Sequence, residues 1–210
     1  NPGDAEAWKS SSPKFGARYL LKELTATANT EAKFLYLSDG GHFENLGIYE
    51  LVRRGCRLII ATDAGCDPDY AFDDLANALR KCSIDLGAEI EINVEPIRPI
   101  DGFKHTKAHH AVGRIHYADG NEGVLLYVKA SLTGGEDPDI LNYATNHTVF
   151  PHDTTADQAF DEDQFESYRK LGFHIGDELF RAIRVAAEAA NGSFTTAAFV
   201  TQVASMAITP

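Results

Sequence analysis

The chain has 210 residues, 44% of them apolar and 24% charged, which suits a single globular domain with a sizeable core. It carries 31 Asp+Glu against 19 Lys+Arg, a net charge of −12, and this balance excludes a nucleic-acid partner, which needs clustered Lys and Arg. No stretch approaches the roughly 20 apolar residues that span a bilayer. The three cysteines, Cys56, Cys66 and Cys82, are odd in number and form no CxxC pair. They read as reduced, mostly buried thiols of a cytoplasmic protein, not as a disulfide framework or a thiolate zinc site. The chain opens at Asn1, without the charged start and apolar stretch of a signal peptide, and a further part is expected upstream.

Residues 1–18 carry turn formers, Asn1-Pro2-Gly3 and Ser10-Ser11-Ser12-Pro13, and read as an irregular linker or surface strap. The first apolar run, Phe34-Leu35-Tyr36-Leu37-Ser38, suits a strand buried on both faces and stops at Asp39-Gly40-Gly41. A helix with Leu46, Tyr49 and Val52 on one face follows, with Asn45 near its start. Arg53 and Arg54 complement its last turn, and Gly55 ends it. Their placement favours this helix-end role over contact with an anionic head group. The second apolar run, 57–62, leads into Asp63-Ala64-Gly65. A helix over 70–86 and a strand over 88–95 come next. This alternation predicts an α/β layered domain with a mainly parallel sheet.

Beyond residue 100 the pattern changes. Runs 112–117 and 124–132, joined by Ala118-Asp119-Gly120-Asn121-Glu122-Gly123, predict an antiparallel hairpin. Residues 133–160 read as a long polar loop. Phe165, Tyr168, Leu171, Ile175, Leu179 and Ile183 mark one stripe of a helix over about 161–190. The domain is drawn over 19–192, and the mildly apolar tail 193–210 is left unplaced.

The sharpest chemical feature is Ser38-Asp39-Gly40-Gly41-His42. Functional groups collect at the carboxyl ends of strands in open α/β sheets. Asp39 is expected there, with Gly40 and Gly41 shaping a tight turn. A carboxylate held this way can serve as a general base toward a hydroxyl nucleophile. A plain Asp-Gly turn is the competing reading. His42 and Asp63 are candidates for groups that support such a site. His105, His109 and His110 form the one histidine cluster, readable as a solvated loop or as a transition-metal site. Asp63, Asp67 and Asp69 are a weaker candidate for a hard cation, because the later Glu of an EF-hand loop is missing. The expected metal and cofactor content is none.

The stretch from Tyr36 to Gly47 (Tyr-Leu-Ser-Asp-Gly-Gly-His-Phe-Glu-Asn-Leu-Gly), continued by Arg57-Leu58-Ile59-Ile60-Ala61-Thr62-Asp63-Ala64, resembles the patatin-like phospholipases of the bacterial branch. It is more distantly similar to the cytosolic phospholipases. Phe150-Pro151-His152-Asp153-Thr154-Thr155, with Phe160, Phe165, Tyr168 and Leu171-Gly172, is similar to the end of that lipase domain. The resemblance covers roughly residues 34–175. It implies a three-layer α/β/α fold, here a partial domain with the hairpin added. It also implies a Ser-Asp dyad that cleaves lipid esters without a cofactor.

By matching position Asp39 is the dyad aspartate. The family places its Gly-x-Ser-x-Gly elbow before the aspartate, and this sequence contains no such motif. Gly134-Gly135 lies after the hairpin, so it does not match the oxyanion loop. Ser38 neighbours Asp39 in a strand and points to the opposite face. Ser10, Ser11 and Ser12 lack elbow glycines. The chain is therefore expected to supply the base to a serine upstream of Asn1 and to be inactive alone. Its expected partners are a lipid or other ester substrate, a membrane surface reached through segments outside this chain, and the upstream part of the same protein. Failing that last partner, self-association through an uncovered sheet edge is expected. A non-catalytic α/β binding or regulatory fragment is the alternative.

Overall fold

A computed structural model describes residues 15–25, 27, 29, 31, 39–100 and 104–207. The chain divides into two compact units, residues 1–43 and 44–210. The first unit contains helix α1 (Ala17–Leu24), which crosses the expected boundary at 18/19, and a 3-10 turn at Gly40–His42. The expected strand 34–38 and the serines at 10–12 and 38 lie outside the described residues.

The second unit is a mixed α/β structure. Its elements are α2 (Ile48–Arg53), β1 (Leu58–Asp63), α3 (Asp73–Leu86), β2 (Glu89–Ile92), β3 (His110–His116) and β4 (Glu122–Lys129). The helices α4 (Pro138–Asn146), α5 (Glu162–Asn191) and α6 (Thr196–Met206) follow. The helix boundaries follow local chemistry. Asp73 and Asp74 place negative charge in the first turn of α3, where the dipole favours it. Gly87 ends α3 with φ +61, a left-handed conformation that costs glycine little. The Asp161 carboxylate accepts a hydrogen bond from the Gln164 amide at 2.7 Å and starts α5. Among the described residues no helix is long and apolar enough to cross a membrane.

The four described strands form one sheet in the order β1-β4-β3-β2. Only β1 and β4 pair in parallel; β4 with β3 and β3 with β2 are antiparallel. The sheet is therefore mixed, which corrects the expected mainly parallel sheet. The reason lies in burial. Val124, Leu125, Leu126 and Tyr127 of β4 are all buried. The hairpin thus takes the centre of the sheet and separates β1 from β2. Gly113 of β3 serves this pairing, because a Cβ there would lie 2.8 Å from both the Glu91 carbonyl oxygen and the Ile92 Cβ across the ladder.

Helices pack on both faces of the sheet. On one, Ile48 and Val52 of α2 and Leu75, Ala78 and Cys82 of α3 meet Ile59, Ala61, Leu125 and Tyr127. On the other, Leu179 and Ile183 of α5 and Val203 of α6 meet Val112, Val124 and Leu126. The tail left unplaced by the sequence is thus α6, part of the same core. The predicted α5 stripe is buried from Leu171 onward, but Phe165 is 61% exposed. The region 133–160 is not a featureless loop. It contains α4, whose Ile140 joins Leu132, Phe150, Leu171 and Ile175 in a third apolar cluster.

Candidate functional site

Two features carry chemistry, one in each unit. In the first, Asp39 caps the 3-10 turn: its Oδ1 accepts the Gly41 N–H at 3.0 Å. The Gly40-Gly41 turn thus forms as expected and fixes one carboxylate oxygen. The second oxygen makes no hydrogen bond among the described residues. The His42 ring Nδ1 lies 3.2 Å from the Asp39 carbonyl oxygen, so the histidine contacts the backbone of this turn. A carboxylate oriented by a backbone amide is equipped to accept a proton from a hydroxyl group.

In the second unit, β1 delivers Asp63 at its carboxyl end into a buried polar network. Asp63 Oδ1 accepts the Gly65 N–H at 2.8 Å, and Oδ2 accepts the Tyr127 hydroxyl and the Lys129 ammonium, the latter at 3.0 Å. Lys129, 1% exposed, also reaches Asp67 at 3.2 Å and stands over the Phe72 ring. Asp67 has a further task. Its two oxygens accept the Ala71 and Phe72 amides at 2.7 and 3.1 Å, holding a loop in which Tyr70 and Phe72 take positive φ. Such backbone is uncommon for bulky residues and persists where surrounding contacts enforce it. Asp63 thus orients the Gly65 amide, the Tyr127 hydroxyl and the Lys129 ammonium. Lys129 occupies the centre that a hard cation would take between Asp63 and Asp67, and Asp69 is exposed. The cation reading of these aspartates is therefore withdrawn.

Lys129 and Tyr127 were missed as site residues, and Asp67 was read only as a cation candidate. The signal was present in Leu125-Leu126-Tyr127-Val128-Lys129-Ala130, a buried run with an embedded lysine, because a buried charge requires a partner. Glu44 was also overlooked. It is buried, and its carboxylate accepts the Leu46 and Tyr49 amides at the start of α2. Arg53 and Arg54 both pair with Glu50, at 2.7 and 2.8 Å.

The electrostatics set a pH response. Burial alone would push the Asp63 carboxyl up, but the Tyr127 hydroxyl, the Lys129 ammonium and the Gly65 amide hold it below its ordinary value. His152 packs edge-on against the Tyr70 ring at 4.8 Å, and burial followed by the nearby Lys129 charge pushes its imidazole down. Both groups therefore bind protons more weakly folded than unfolded, so stability falls as the pH falls. The His152 contribution starts to be lost below about pH 6.5, and that of Asp63 below about pH 4. Thermal melts from pH 7 to pH 3 are expected to show a declining Tm, steeper toward the acid end. A Tm constant over that range would contradict these assignments.

His105, His109 and His110 do not assemble on a helix face. His105 lies against Gly134, while His109 and His110 enter β3 at its start. His109 is buried and faces residues from the loop after β4 and from α5. An apolar groove of 330 Å³ runs between β1 and α5, lined by Ile60, Val128, Tyr168, Leu171 and Phe180, with Asp63 at its wall. Ile60, 41% exposed, lies on this side of β1, and no described residue pairs with the outer edge of that strand.

The fold and these sites define a mixed α/β protein with a capped aspartate turn and a buried Asp-Lys-Asp network. No protein-family model, curated protein or solved structure was found to match the chain.

Proposed function

We propose that this chain is the later part of a patatin-like lipid acyl hydrolase domain, with Asp39 as the base of a Ser-Asp dyad. The carrying observation is the run from Tyr36 to Gly47, in which Asp39 enters a double-glycine turn that orients its carboxylate. Helices on both faces of the sheet support a three-layer arrangement of the patatin-like kind.

In this mechanism a serine outside residues 1–210 attacks the ester carbonyl while its hydroxyl proton passes to Asp39. The tetrahedral intermediate expels the alcohol, which takes that proton, and leaves an acyl-enzyme. Water then attacks the acyl-enzyme, giving its proton to Asp39 and releasing the fatty acid and the free serine. The turn at Gly40 and Gly41 orients the carboxylate through the Gly41 amide, and no metal takes part. The thiols Cys56, Cys66 and Cys82 are free, which supports a reducing, cytoplasmic setting. Membrane attachment is assigned to segments outside the chain.

The test compares two preparations on a short-chain ester and on phospholipid vesicles. The protein extended to include the serine elbow is expected to hydrolyse both, and residues 1–210 alone neither. Turnover by the isolated chain, or none by the extended protein, would overturn the proposal.

A further inference from the structure

His109, His174 and Glu178 each offer one ligand atom, and these three atoms lie within 4.8 Å of one another. The residues are distant in sequence and brought together by packing. α5 carries His174 and Glu178 one turn apart on one face, beside the buried stripe that seats the helix on the sheet. His109 arrives from the entry to β3. We propose that His109, His174 and Glu178 form a binding site for a divalent transition-metal ion, zinc above all.

The chemistry of the donors favours this occupant. Two imidazoles and one carboxylate suit Zn²⁺, and three protein ligands leave a fourth position for water. In a tetrahedral site with bonds of about 2.1 Å, neighbouring donors stand about 3.4 Å apart. His174 Nε2 and Glu178 Oε2 are 3.4 Å apart, at the required spacing before any ion is added. The same His174 Nε2 is buried and makes no hydrogen bond, so a ring nitrogen that would ordinarily seek a partner is directed into the cluster.

The supporting residues fit as well. Metal-bound histidines usually engage their second nitrogen with a neighbouring polar group, which fixes the ring. His109 Nδ1 is 3.0 Å from the Ser131 hydroxyl. The Thr133 hydroxyl and a Glu136 oxygen lie 3.4 and 3.6 Å from Nε2. Glu136 is itself anchored by the Gly134 amide at 2.8 Å. The cluster differs from the His105, His109 and His110 set weighed from sequence, sharing only His109, and no metal was expected there.

The experiment titrates the 210-residue chain, freed of metal by chelation, with Co²⁺ and then displaces the Co²⁺ with Zn²⁺. The expected result is one equivalent of Co²⁺ per chain with the visible absorption of a tetrahedral site, lost on adding one equivalent of Zn²⁺. His174→Ala and Glu178→Ala alter partly exposed positions on α5 and should preserve the helical circular dichroism. Each is expected to weaken Zn²⁺ binding by about 10–100-fold or more. His105→Ala is expected to leave it unchanged. Binding below about a tenth of an equivalent in the unaltered chain would overturn the proposal. So would undiminished affinity in the folded His174→Ala/Glu178→Ala double variant, or a loss with His105→Ala equal to that with His174→Ala.

Discussion

Asp39→Asn in the extended protein is expected to lower kcat for ester hydrolysis by about 10²–10⁴-fold, the usual contribution of a positioned general base. The side-chain amide cannot take the serine proton, yet its oxygen can still accept the Gly41 N–H that Asp39 Oδ1 accepts at 3.0 Å. The turn should therefore survive, and KM should change little. That separation matters because Asp39→Ala removes both the base and the cap, and a loss of activity there has two explanations. Steady-state kinetics on vesicles, with a melting curve for each variant, distinguish them. A normal kcat in Asp39→Asn would show that the carboxylate is no base.

Lys129→Met is expected to destabilise the fold by about 3–5 kcal/mol, the cost of leaving a buried partner charge uncompensated. For a chain of this size that corresponds to a Tm lower by about 6–20 °C. Lys129 is 1% exposed and meets two carboxylates, Asp63 at 3.0 Å and Asp67 at 3.2 Å. Asp63 would then keep a buried negative charge with only the Tyr127 hydroxyl and the Gly65 amide to stabilise it. Asp67 would also lose the cation that balances it while it holds the amides of Ala71 and Phe72. Adding Asp63→Asn to Lys129→Met removes one of the stranded charges and should recover part of the loss. Denaturant unfolding of the two single variants and the double variant measures this coupling. A Lys129→Met variant as stable as the original chain would contradict the network.

The elements that the sequence made legible are those whose burial is periodic or continuous within one segment. α3 and α5 appear within a few residues of the expected limits, because apolar stripes and terminal glycines mark them directly. The hairpin likewise follows from two apolar runs around Asp119-Gly120. What escaped was the order of strands. An apolar run announces a strand but not its neighbour, and the hairpin displaced β2 from β1 because β4 is the most completely buried strand. α6 was missed because its few buried residues, Ala198 and Val203, give only a weak stripe.

The candidate sites divide in the same way. The Asp39 turn is local, written in four consecutive residues, and was visible at once. The partners of Asp63 come from positions 127 and 129, across a parallel strand pair, and no local pattern announces such a pairing. His174 and Glu178 lie between the apolar positions that mark α5 and were not singled out. Only the packing of α5 on the sheet brings them to His109.

The central claim is that this chain supplies the base for a serine it does not contain. A fluorophosphonate probe, which labels activated serines, tests this on the extended protein, with the labelled residue located by peptide mass mapping. The predicted result is one label on a Gly-x-Ser-x-Gly serine upstream of Asn1, formed far more slowly after Asp39→Asn. A label on any serine within residues 1–210, a labelling rate indifferent to Asp39→Asn, or no labelling at all would contradict it, the last favouring a non-catalytic binding fragment.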